Sequence, residues 1–450
     1  MRRTVRGGPA AARPPRTRTP RVAEVVRHDR TLPNGLDVVL VPRPALHHVA
    51  VSLFVRTGSR FEHPRHNGIS HLLEHMLFRG TRRLPSAHAQ ARAFEALGGT
   101  LDAATAVDHG SLSLDLPPAS LAPALALLAE TVLAPCFSEL GVERRIVRQE
   151  ILQDLDEHGE PLDEEERLRG LAFGRHPLAR PIAGTLGSLR RFDLPLLRAE
   201  HRRHYCGANG VLCIAGRLGA PDACAALVGR TLGRLPSGRR VPTGPPPAPQ
   251  RRPRALFLRH PGGTQTTVRL GFRAPALGAP DEPAAAMLLR VLDDGLSTRL
   301  YERLCDRRGL CYDVSADYDA FEDAGLFAVE ASTDHAQAPR VLAEMLAALD
   351  ELRQRDVTGA ELATARARHG YAVGAMRDDP AELCEFFGLS ALLGVTRSPR
   401  ARHAELCSVE AEDLRAAAAR IFVAGGASLL TVGGCRAADE RRMQALVEAF

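Results

Sequence analysis

Two imidazoles four residues apart, His71 and His75, with the carboxylate Glu74 between them, are the groups in this chain best spaced for chemistry. On a helix, residues four apart share a face, with Cβ atoms about 5–6 Å apart, so both rings can grip one cation. Imidazole nitrogen suits Zn²⁺, at roughly 2.0–2.1 Å. Glu74 is displaced sideways around the helix and can face a water on that cation, where a carboxylate can take a proton. A catalytic zinc usually has three protein ligands and one open position. Downstream, Glu143, Glu150 and Glu157 fall at seven-residue steps, on one stripe of a second helix. Spacing alone leaves open which of the three reaches the metal.

The elements that must position these groups can be read from the same pattern. Ile69, Leu72, Leu73, Met76 and Leu77 recur at three- and four-residue steps, predicting a helix with one buried face, and Asn67 and Ser70 are expected to cap its start. Ile146, Val147, Ile151 and Leu155 predict the glutamate helix over 140–155. Strands are expected at 36–41, 49–56, 98–105, 110–116 and 210–216, with helices at 119–133 and from Leu189 to His204. His63 and His66, just before the motif, read as solvated loop histidines.

Residues 236–254 are rich in Pro, Gly and Arg without helical or strand period, and read as a linker. Beyond them the pattern restarts. A constant offset of 217 sets Val51, Leu53, Val55 and Arg56 on Val268, Leu270, Phe272 and Arg273, and Tyr205 on Phe422. The expected fold is therefore α+β, with two homologous halves at 25–235 and 255–450, each an antiparallel sheet with helices packed on it. The chemistry is not duplicated: the offset turns His71, Glu74 and His75 into Leu288, Val291 and Leu292.

Composition narrows the class. Hydrophobics at 45% and charged residues at 25% of 450 residues are ordinary for a globular chain of two or three domains. The net charge of +6 is carried by arginine without any lysine, which argues for coding bias and against a nucleic-acid footprint. Seven arginines lie in residues 1–22 among prolines and glycines, so residues 1–24 are expected to be a disordered basic tail. No run approaches the roughly 18 apolar residues of a membrane span. Nine scattered cysteines without C-x-x-C indicate a reducing compartment, the cytoplasm by default. The glycine pairs lack the phosphate-cradling G-x-x-x-x-G-K-[ST] form, so no nucleotide is implied.

His71-x-x-Glu74-His75, followed 75 residues later by Glu150 with Glu143 seven residues before it, resembles the pitrilysin/insulinase family of H-x-x-E-H (inverzincin) zinc metallopeptidases. Leu32-Pro-Asn-Gly-Leu36, the Gly58–Phe61 segment, the Met76–Thr81 segment and His176-Pro-Leu-Ala-Arg-Pro-Ile-Ala-Gly-Thr185 are similar to further family elements. The resemblance implies His71, His75 and Glu150 as ligands of one Zn²⁺ per chain and Glu74 as general base. It implies Glu143 as the carboxylate behind a ligand histidine. It also implies a clam-shell of two halves and a peptide or unfolded-protein substrate pairing with a sheet edge at Asp102 and Ala103. Tyr312 would hold substrate from the second half, with a homodimer or a heterodimer with a related subunit held open. Two positions depart from the family pattern. Asp102 stands where the family has Asn, and Cys305 stands where it has the Arg that partners the Tyr312 position.

Overall fold

The computed structural model describes residues 24–155, 159, 162–260 and 262–450. The basic tail up to residue 23 and Glu157 lie outside the described residues. Among the described residues, eleven strands build two sheets. The first contains β1 (His28–Thr31), β2 (Asp37–Pro42), β3 (Val49–Val55), β4 (Leu101–Thr105), β5 (Gly110–Leu116) and β6 (Gly210–Gly216), in the order β1-β2-β6-β3-β5-β4. The second contains β7 (Arg254–Arg259), β8 (Thr266–Ala274), β9 (Val314–Ala320), β10 (Gly325–Thr333) and β11 (Ala427–Gly433), in the order β7-β11-β8-β10-β9.

Each sheet is antiparallel except for one pair, β2 with β6 and β7 with β11, which run parallel. A parallel pair needs a long crossover, and here nearly a whole half of the chain lies between its two strands. The 217-residue shift carries β2 onto β7 and β6 onto β11 residue for residue. The two halves are thus structural repeats. Residues 236–253 between them form neither helix nor strand.

β3 is buried at every position, because both faces of its sheet are covered. One face carries Val49, Val51, Leu53 and Val55 against the motif helix and the helix Leu121–Leu133. The other carries Val39, Ala50, Phe54 and Cys213 against Leu383, Cys384, Phe387 and Leu392, which belong to the second half. The exchange is mutual. Helix Glu164–Phe173 of the first half lays Leu168, Ala172 and Phe173 on Leu326, Ala328 and Leu430 of the second sheet. Each half therefore completes the core of the other, which short-range periodicity cannot disclose.

Buried ion pairs reinforce this crossing. The turn between β9 and β10 sets Glu322 against Arg56, which is 1% exposed, and Asp323 against Arg60, with Nη2 to Oδ2 at 2.8 Å. Arg56 also donates through Nε to the Val241 carbonyl, tying down the segment between the halves. Removing one partner of such a buried pair leaves an uncompensated charge, at a cost of about 3–5 kcal/mol. Asp323→Ala is therefore expected to lower the unfolding free energy by about that much in urea titration. A loss below about 0.5 kcal/mol, the range of an exposed pair, would show that the Arg60 contact does not help hold the halves together.

Candidate metal centre

The motif helix spans Ile69–Leu77 and buries Ile69, Leu72, Leu73, Met76 and Leu77, as the periodicity predicts. Its start is built differently from the expectation. The N-cap is Gly68, at φ 92°, without a side-chain cap of its own, and neither Asn67 nor Ser70 fills that role. The donors at this end are met by Glu62, whose buried carboxylate accepts from Gly68 N at 2.7 Å, Ser70 N at 2.7 Å and Asn67 Nδ2 at 2.9 Å. Burial raises the Glu62 pKa and these hydrogen bonds oppose the rise. Arg180 closes the corner by donating to the backbone carbonyl of Glu62. Gly68 and Gly184 meet back to back. A Cβ on Gly68 would stand 2.4 Å from the Ala183 carbonyl oxygen, and one on Gly184 2.3 Å from that of Asn67.

The helix so anchored turns His71 and His75 toward the glutamate helix, Leu140–Gln153. The two Nε2 atoms stand 3.3 Å apart. Glu150 Oε2 lies 3.8 Å from His71 Nε2 and 3.5 Å from His75 Nε2. Among the described residues this trio is the one group of His, Cys, Asp and Glu whose ligand atoms converge, all within 4.8 Å of one another. Glu150 Oε2 is buried and has no hydrogen-bond partner among the described residues. A buried, unpaired carboxylate oxygen aimed at two imidazole nitrogens is costly unless a cation sits among them. The donor set, two nitrogens and one oxygen, fits Zn²⁺.

Glu143, 5% exposed, meets the same ring from behind, its Oε2 3.1 Å from His75 Nδ1. Arg79 donates to its other oxygen and, from Nη1, to Glu139 Oε2 at 3.1 Å. Burial pushes Glu143 up, but His75 and Arg79 outweigh it and hold the carboxyl below its usual range. Burial, followed by the charge of His75, lowers His71 to about 4 and keeps its lone pair free. For His75 burial acts downward, yet the Glu143 hydrogen bond and the nearby carboxylates bring the net shift upward. Glu74, raised mainly by burial, accepts from Thr105 Oγ1 at 2.5 Å.

Thr105 ends β4, an edge strand of the first sheet, whose only sheet neighbour among the described residues is β5. Asp102, exposed, and Ala103, partly exposed, sit on the same edge strand. The structure thus brings the edge to Glu74. Tyr312 stands apart: it follows the turn after Glu302–Asp306, is 93% exposed and forms no hydrogen bond among the described residues. Arg303, near the position where the family has its arginine, is engaged by Glu344 and Glu351. A cleft of about 600 Å³ opens beside His71 and Glu150, with Ile151, Leu155, Ile182 and Leu186 on its walls.

Comparison with known proteins identifies the family of the chain. Residues 37–186 match the family model described as insulinase, peptidase family M16, and residues 191–368 match the one described as the peptidase M16 inactive domain. Uncharacterized zinc proteases of Mycobacterium bovis and Mycobacterium tuberculosis are 32% identical over 430 residues, covering 93% of this chain and 96% of theirs. The crystal structure of a protease from Helicobacter pylori superposes with a TM-score of 0.85 at 22% identity, covering 91% of this chain and all of that one. A chain of Complex III2 from Candida albicans shares the fold, with a TM-score of 0.77 at 17% identity, over 93% of this chain and 99% of that one. The chain belongs to peptidase family M16, the insulinase family, and its relatives are named zinc proteases.

Three residues of the site escaped the sequence reading: Glu62 as the anchor of the helix, Thr105 on Glu74, and Arg79 behind Glu143. For Glu62 the signal was present in the Gly58–Glu62 segment, but not its purpose. Glu62→Ala removes the acceptor of two buried amides, each worth about 1–3 kcal/mol when left unpaired. The expected result is faster hydrogen exchange at Gly68 and Ser70 and a lower melting temperature. Unchanged protection at both amides would show that another group caps the helix.

Proposed function

We propose that the chain is a zinc-dependent endopeptidase that hydrolyses oligopeptides or unfolded polypeptide segments. The observation that carries this reading is the convergence of His71 Nε2, His75 Nε2 and Glu150 Oε2 beside Glu74. His71, His75 and Glu150 would hold one Zn²⁺, and Glu143 would orient His75 through Nδ1. Bound zinc supplies Lewis acidity to a water and to the scissile carbonyl. Glu74 takes the proton of the attacking water on its carboxylate and returns it to the leaving amine. The Thr105 hydroxyl occupies Glu74 Oε2, leaving Oε1 for the proton. Burial makes the carboxylate a better base than a solvated one.

The edge of β4 would pair with an extended substrate at Asp102 and Ala103, satisfying its amides and carbonyls through backbone bonds that themselves read no side chain. The cleft lined by Ile151, Leu155, Ile182 and Leu186 gives room to an apolar side chain beside the bond to be cut. Tyr312 would hold substrate from the second half.

A second reading, a non-catalytic or partner-dependent subunit, is favoured by one observation: Cys305 stands where the family has the arginine that partners Tyr312. Hydrolysis of a quenched fluorogenic peptide library separates the two. Glu74→Gln is expected to keep its zinc and lose about 10²–10⁴-fold in rate. Stoichiometric zinc in the wild-type chain without cleavage, and cleavage only after a related subunit is added, would select the second reading. For the metal itself, Glu150→Ala is expected to abolish stoichiometric zinc, and Glu143→Ala to weaken it about 10–100-fold, both by metal analysis after dialysis. Full zinc retention in Glu150→Ala would overturn the ligand assignment.

A further inference from the structure

We propose that Cys305 and Cys311 form a redox site, a dithiol that closes to a disulfide and thereby moves Tyr312. Their sulfurs lie 3.5 Å apart. The chain brings them together by reversing direction at the end of the helical turn Glu302–Asp306. The amide of Gly309 donates to the Cys305 carbonyl at 2.9 Å, and that of Leu310 to the Leu304 carbonyl at 2.8 Å. Gly309, at φ +55°, takes the left-handed conformation that this return needs. Cys311 is thereby laid beside Cys305, six positions back.

Both cysteines are partly exposed, within reach of a small oxidant. Burial raises both thiols, Cys311 to about 12, so the pair rests as neutral thiols and its attack on peroxide, which needs the thiolate, is slow; proximity rather than acidity sets the pair apart. A second close pair, Cys213 with Cys384, supplies a contrast within the same molecule. Those two thiols also interact, but both are fully buried between the halves. Access singles out Cys305 and Cys311.

With hydrogen peroxide as oxidant the step balances. One sulfur attacks the peroxide O–O bond, gives a sulfenic acid and releases water. The other sulfur displaces the hydroxyl of that sulfenic acid, forming the S–S bond and a second water. Two thiols lose two electrons and one peroxide becomes two waters. A thiol reductant reverses the change. Bridging draws the sulfurs from 3.5 Å to about 2.05 Å. Tyr312 follows Cys311 directly and is 93% exposed, with no packing to resist being carried along. The kinetic consequence rests on the peptidase reading, in which Tyr312 holds substrate; the disulfide does not.

The test uses the full chain, treated with hydrogen peroxide under native conditions, alkylated, digested with trypsin and mapped by mass spectrometry. Cleavage after Arg307 and Arg308 separates the two cysteines, so the bridge appears as a linked peptide pair that reduction splits. The pair is expected in the wild type and absent in Cys311→Ser. For a cleaved fluorogenic peptide, KM is expected to rise about threefold or more on oxidation and to return with reductant, kcat changing less. Cys311→Ser, treated alike, should show no peroxide-dependent change in KM. Sulfinic acids on separate peptides, or a link between Cys213 and Cys384 in equal yield, would overturn the site. A bridge that leaves KM unmoved would overturn the connection to Tyr312. A bridge in a chain that cleaves no peptide would uphold the redox site and count against the peptidase reading alone.

Discussion

A carboxylate taken out of water must find donors, and the one on Glu62 finds them at the start of the motif helix. Its acceptors are filled by the amides of Gly68 and Ser70 and by the Asn67 side chain. Those bonds set where the helix begins, and its beginning sets which way His71 and His75 point. Arg180 and the Gly68–Gly184 contact then lock the same corner to the segment 177–185. Moving the first turn by one residue would rotate the histidines about 100° away from Glu150. The reactive cluster thus inherits its geometry from a buried polar corner that takes no part in chemistry.

Parts of this were legible in the residues themselves. The His71–His75 spacing, the apolar stripe beside it and the 217-residue repeat each follow from local rules of period and face. The choice among glutamates was not. Seven residues is nearly two helical turns, so Glu143 and Glu150 share a stripe about 10 Å apart along it. In the folded chain they serve opposite sides of the same ring, Glu143 at His75 Nδ1 and Glu150 toward Nε2. Only the crossing of the two helices separates those roles. Likewise the exchanged helices, 164–173 and 380–392, look like ordinary amphipathic segments until the distant sheet each one covers is known.

The repeat also shows how one scaffold is put to two uses. In the second half, Leu288, Val291 and Leu292 stand where the first has His71, Glu74 and His75, and all three are buried in its core. Ionisable groups clustered in an apolar setting destabilise a fold unless they are paired or hold a metal. Confining them to one half limits that cost to one place, while the other half gains a continuous apolar core around Leu270, Phe272, Phe327 and Phe422. The ion pairs of Arg56 and Arg60 with Glu322 and Asp323 join this second half directly to the strand that leads into the Gly58–Glu62 corner.

The β4 edge of the first sheet has no strand paired on its outer side among the described residues, and its chemistry suits that exposure. An unpaired strand invites association with other chains, and proteins blunt such edges by keeping them short and charged. β4 is five residues long and carries Asp102 outward. The same strand ends in Thr105, whose hydroxyl reaches Glu74. A segment that pairs with this edge would have its backbone drawn alongside the carboxylate, so a device that limits self-association can also guide a substrate. On that argument Asp102 would do more than stand in for an asparagine: its charge would disfavour acidic segments at the edge and tolerate basic ones. Under the proposed function, selectivity would then come from the charge of the strand added, and the apolar cleft beside Glu150 would take a single side chain.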